Sequence, residues 1–118
     1  STKILKLADG LGIRVAWLPF ESEPPRCNLI VSTVPAGSLI RRAEDLAARA
    51  NAVFDVVYDP WPTPLAVAGK IAGATVIDGL DLLAGQAVGQ VQLMTGYPVP
   101  MDVLRSTAQN GLAEHARL

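Results

Sequence analysis

Phe54-Asp55-Val56-Val57-Tyr58-Asp59-Pro60, running into Trp61-Pro62-Thr63-Pro64, is the stretch whose reading decides the fold, together with Ile77-Asp78-Gly79-Leu80-Asp81-Leu82-Leu83-Ala84-Gly85-Gln86. Each sets a short apolar run against a turn and then a helical pattern. A β-branched, apolar run followed directly by helix periodicity reads as one half of a βαβ unit. In a parallel sheet built from such units, ligands bind at the carboxyl ends of the strands. The two stretches therefore predict both a fold and the edge of a site.

Working outward, the same alternation recurs. Residues 13–18 read as a strand closed by Pro19, residues 29–32 as a second, residues 53–58 as a third and residues 75–77 as a short fourth. The second is nearly all apolar, as expected where both faces of a sheet are covered. Ser1 or Thr2 can cap a first helix whose apolar positions Ile4, Leu5, Leu7, Ala8 and Leu11 recur at helical spacing, with Gly10 and Gly12 ending it. Glu21-Ser22-Glu23-Pro24-Pro25 is a polar, proline-bearing loop. A helix is expected near residues 41–50. Thr63-Pro64 is a helix start, the hydroxyl capping and the proline at the first helical position. A longer helix runs from about residue 80 to residue 94. A last short one opens at Pro100 or Met101 and runs toward Ala108, with the remainder, including His115, expected to fray. Alternating strands and helices make the fold class α/β with a parallel sheet.

A chain of 118 residues is one domain's worth of sequence. A net charge of −1, with half the residues hydrophobic and 18% charged, gives no basic excess to attract nucleic acid or an anionic membrane. No apolar run is long enough for a transmembrane helix, and the first residues have no signal-peptide pattern. The single Cys27 cannot form an internal disulfide, which fits a reducing cytoplasm. One cysteine and one distant histidine make neither a catalytic dyad nor a metal site, and Cys27 reads as a residue at the start of its strand. Gly10-Leu11-Gly12 begins like a G-x-G-x-x-G turn, but Val15 stands where the third glycine belongs and the run enters a strand. It is not a nucleotide loop.

Four positions could carry chemistry. On the long helix Leu80, Ala84, Ala87, Val91 and Met94 share an apolar face, and Gln86 and Gln90 lie beside it one turn apart. Two primary amides at the edge of a buried face need partners, either neighbouring backbone or a polar ligand in a cleft. Gly79 sits in the turn before that helix, where glycine serves a tight turn or a close approach of a flat ligand. Tyr58 ends its strand as a packing aromatic or as a phenol bonding a ligand. Asp55 and Asp59 are not a catalytic carboxylate pair; Asp55 reads as a strand-start residue and Asp59 as a turn former before Pro60.

The order and intervals of Asp55-Val56-Val57-Tyr58-Asp59-Pro60, Thr63-Pro64, Gly79-Leu80-Asp81-Leu82-Leu83-Ala84-Gly85-Gln86 and Thr95-Gly96 resemble the carboxy-terminal part of shikimate dehydrogenase. That family reduces 3-dehydroshikimate with NADPH in aromatic amino-acid biosynthesis. The resemblance implies an incomplete Rossmann-like parallel sheet of about four strands with flanking helices and a helical C-terminus. Residues 1–118 would then be a single partial cofactor-binding domain. By the same resemblance, Gln86 bonds the shikimate hydroxyls and Tyr58 lies near the substrate carboxylate. Gly79, Val56 and Leu82 would lie at the nicotinamide of NADP, Gly79 through its carbonyl. Ser32-Thr33-Val34-Pro35-Ala36-Gly37 is similar to the family's Asn-Ala-Thr-Pro-x-Gly turn along the cofactor, placing Thr33 and Val34 there. Lys3 follows the segment that holds the 2′-phosphate.

The family's catalytic Lys and Asp belong to a substrate domain, and its glycine-rich turn to the first strand of the cofactor domain. None of these is in the chain, so the resemblance implies an inactive fragment, with no catalytic residue of its own. In the strand order 3-2-1-4-5-6, two strands would be lacking between residues 13–18 and the rest. The strand at residues 29–32 would then carry an open apolar edge, inviting self-association or strand exchange. Two further readings remain open: a non-catalytic α/β binding or interaction module, and part of a quinate/shikimate dehydrogenase.

Overall fold

The computed structural model describes residues 2–116; Ser1, with its expected capping role, lies outside the described residues. Three strands, β1 (Cys27–Ser32), β2 (Ala50–Asp55) and β3 (Thr75–Ile77), form one parallel sheet in the order β1-β2-β3. In register, Ile30 lies beside Val53 and Val53 beside Val76. Cys27 does open its strand.

α1 (Thr2–Gly10) precedes the sheet and is followed by a turn at Gly12, whose φ of 66° needs glycine's freedom. A 3-10 turn (Ala36–Leu39) and α2 (Ala43–Ala47) link β1 to β2, and α3 (Pro64–Ile71) links β2 to β3. The single helix expected over residues 41–50 is thus a tight turn and a short helix, and β2 starts three residues earlier than the sequence suggests. α2 and α3 share one face of the sheet. Val53 and Leu65 are wholly enclosed there with Leu39, while Ala43, Ala47 and Ala68 form the seam between the two helices. Gly69 brings α3 down onto Val53 and Val76, since a Cβ there would stand 2.6 Å from the Val53 Cγ2.

α4 (Gly79–Thr95) leaves β3 and turns back at Gly96, left-handed at φ 76°, into α5 (Met101–His115). α4 buries Leu80 and Ala84 and half-buries Ala87 and Val91, but Met94 is exposed, so the expected apolar face runs out in the last turn. α5 is longer than expected and holds His115 in its final turn. Leu104, Ala108 and Leu112, four apart, are half-buried along it, and Arg105 pins it to α4. No described helix is long and apolar enough to cross a membrane.

The expected strand at residues 13–18 is not one. These residues carry no regular structure, and Ile13, Val15, Trp17 and Leu18 are all exposed. The sheet therefore has three strands among the described residues, not four. A strand exists only where a neighbour takes its backbone groups, and no described strand runs beside this segment. Residues 20–24, next in the chain, are strapped onto α2 instead. The Arg42 guanidinium lies 5.4 Å from the Phe20 ring centroid and donates to the Ser22 carbonyl at 2.9 Å. Arg49 donates to the Pro24 carbonyl at 3.2 Å and pairs with Glu23 and Asp45.

Candidate functional site

Two helices start from the tops of adjacent strands, each capped by a side chain. At α3, Thr63 accepts the Ala66 N–H at 3.2 Å and donates its hydroxyl to the Asp55 carboxylate at 2.8 Å, and the other Asp55 oxygen accepts the Val57 N–H at 3.3 Å. Both residues are 1% exposed. Asp55 is therefore the buried last residue of β2, not a residue at its start. The sequence hides this because the strand begins at Ala50, in a run too short of apolar residues to mark it.

At α4, Asp78 and Asp81 cap each other. The Asp81 N–H donates to Asp78 Oδ1 at 2.8 Å, and the Asp78 N–H to Asp81 Oδ2 at 3.2 Å. The free oxygen of each carboxylate takes Arg105 of α5: Nη2 to Asp78 Oδ2 at 2.7 Å and Nε to Asp81 Oδ1 at 2.6 Å. Burial pushes the Asp81 carboxyl up, but the Arg105 guanidinium and the Asp78 N–H outweigh it and hold it below its ordinary value. Arg105 is held more firmly protonated, chiefly by its bond to Asp81.

Gly79 follows that cap and is buried against the end of β2. A Cβ on it would stand 2.2 Å from the Val56 carbonyl oxygen and 2.8 Å from its carbon. The close approach here is to the chain's own backbone, so only glycine lets α4 start this near β2. Val56, half-buried, donates its N–H to the Ser32 carbonyl at 3.1 Å. Gly79 and Val56 are thus brought together directly.

Two turns along α4 an open cleft of about 430 Å3 is lined by Phe54, Ile77, Asp81, Leu82, Gly85, Gln86 and Met101. Its walls are apolar apart from the Gln86 amide and the Asp81 carboxylate. Gln86 is exposed and makes no side-chain hydrogen bond among the described residues. Leu82 shares the cleft with it. Thr33 and Val34 instead line a separate cavity of about 220 Å3 at the end of β1 with Phe20, Ser32 and Leu39. The Ser32 hydroxyl there is buried and has no partner. Tyr58, 41% exposed, stands beyond the end of β2, and Lys3 is exposed on α1; neither lines these two spaces. Sequence reasoning missed Met101 and Arg105. Asp78-x-x-Asp81 is a legible cap, but nothing local marks a partner 24 residues away.

The parallel order, the helix-covered face and the cleft at the strand ends define a Rossmann-like α/β unit. No family model matches the chain. It is 36% identical over 91 residues to the shikimate dehydrogenase (NADP(+)) of Methanocella arvoryzae, an alignment covering 72% of this chain and 33% of that protein. A solved shikimate 5-dehydrogenase from Mycobacterium fortuitum matches with a TM-score of 0.77 and 36% identity over 89% of this chain and 41% of that one. For Mycobacterium tuberculosis shikimate dehydrogenase the TM-score is 0.63 and the identity 42%, over 73% and 32%. The chain is thus similar to shikimate dehydrogenases and spans about a third of the length of the curated relatives it matches.

Proposed function

We propose that these 118 residues are the carboxy-terminal part of the cofactor-binding domain of an NADP-dependent shikimate dehydrogenase, an oxidoreductase interconverting 3-dehydroshikimate and shikimate. The observation that carries this reading is the unpartnered Gln86 amide at the mouth of an apolar cleft at the strand ends. Gln86 would donate to and accept from the hydroxyls of shikimate. Tyr58 would lie on its carboxylate side.

The chain fits a nicotinamide cofactor in two respects. The walls beside Gln86 are apolar, as a flat ring requires, and Ser32 at the neighbouring strand end holds a buried hydroxyl that lacks a partner. The cofactor supplies hydride transfer when bound. Val56, Leu82 and the Gly79 carbonyl would orient its ring, Thr33 and Val34 would lie along it, and Lys3 would face the 2′-phosphate. By family resemblance the proton moves through a Lys and an Asp of the substrate domain, so the 118 residues alone are expected to be inactive.

Leu29 and Val31 stand 46% and 51% exposed on β1, whose outer edge has no strand partner among the described residues, which supports self-association of the isolated chain. Light scattering that finds a monomer at every concentration removes that part of the proposal. The activity is tested by shikimate-dependent NADP+ reduction with the protein expressed from its full reading frame. Gln86→Ala should lower kcat/KM by about 100-fold, the worth of two or so hydrogen bonds to a bound hydroxyl. An unaltered protein that forms no NADPH from shikimate overturns the reading.

A further inference from the structure

The α5 helix supplies one wall of the cleft through Met101, and Arg105 lies one turn further along the same helix. Four carboxylate oxygens meet at the start of α4, and each has one task. Two hold backbone N–H groups and two hold Arg105. The Nε and Nη2 atoms are neighbouring donors on the planar guanidinium, so the fork reads the spacing between Asp78 and Asp81 as well as their charge. The Asp78 side chain is only 12% exposed. Without the cation, two carboxylates would face each other at the turn that precedes Leu82 and Gln86.

We propose that Arg105 is a positioning residue for this cleft: by bridging Asp78 and Asp81 it fixes Met101 of α5 against the segment of α4 that carries Leu82 and Gln86. The kinetic part of this proposal rests on the shikimate reading; the structural part does not. Lysine keeps the charge but offers a point donor that cannot span both carboxylates in one plane. Methionine keeps the length of the stem and removes the charge.

The test compares Arg105→Met and Arg105→Lys in the protein from its full reading frame, by amide hydrogen exchange and by steady-state kinetics. Arg105→Met should cut exchange protection at the amides of residues 82–86 by about tenfold, with Arg105→Lys between it and the unaltered protein. KM for shikimate should rise about tenfold while kcat changes by less than about threefold. A lower Tm with unchanged KM and unchanged exchange at residues 82–86 overturns the proposal, because that is a purely structural pair. If Arg105→Met fails to fold by circular dichroism, Arg105→Lys decides by the same two readouts. If the unaltered protein forms no NADPH, the functional reading fails and the exchange measurement alone decides the role of Arg105.

Discussion

α3 and α4 both rise from strand ends and both open on a side-chain cap, yet the two starts are built for different ends. The first is sealed. Asp55 and Thr63 are buried, satisfy each other and the local backbone, and leave nothing for a partner to use. The second is shared. Its cap is completed by a residue from another helix, its first residue is pressed on Val56, and its next two turns face a cleft. The sealed start fixes the sheet; the shared start leads into the helix turns that line the cleft.

Gly79→Ala should break the comparison most. The new Cβ meets backbone, which cannot rotate away, so α4 must move off β2 at a cost of about 3 kcal/mol. Thermal unfolding should show a large fall in Tm, and an unchanged Tm would mean that α4 can shift freely. Thr63→Ala comes next. It removes the α3 cap and strands a buried Asp55 oxygen, together worth about 2 kcal/mol by denaturant unfolding. In the protein from its full reading frame it should leave the shikimate KM of the proposed reaction alone, since neither Asp55 nor Thr63 lines the Gln86 cleft. A raised KM would erase the distinction between the two starts.

The smallest effect sharpens the contrast through pH. The Asp81 carboxyl titrates lower in the folded chain than in the unfolded one, so the unfolded chain takes up its proton first as pH falls. The stability it adds is whole above the unfolded value of about 4 and fades as pH drops through the lower folded value. The Tm gap between the unaltered protein and Asp81→Asn should therefore be widest near neutrality and narrow as pH falls below the unfolded value. A gap that is the same at both ends would show that charge is not what Asp81 contributes.

The features legible in the sequence are those that neighbours in the chain decide. Thr63-Pro64 caps α3 as its residue types demand, and the long helix α4 runs within a residue of its expected bounds. Features that depend on distant partners are not legible. Residues 13–18 have a strand's composition but no strand beside them, and composition does not record a missing neighbour. Arg105 is one arginine among several until the α4–α5 hairpin brings it to Asp78 and Asp81. The end of β2 at Asp55 is hidden because a buried carboxylate looks, in sequence, like a polar residue at a boundary.

The register of the sheet has a kinetic consequence. Ala50 lies 23 positions after its partner Cys27, and Thr75 lies 23 positions after its partner Ala52. The two crossovers close loops of equal length, each with a length-dependent entropy cost of about 3 kcal/mol. Loop length therefore favours neither pairing over the other, and β2, common to both, is the strand on which either must begin. With Val53 wholly enclosed at its centre, β2 should be the last element to release its amide protons and the first to acquire protection during refolding.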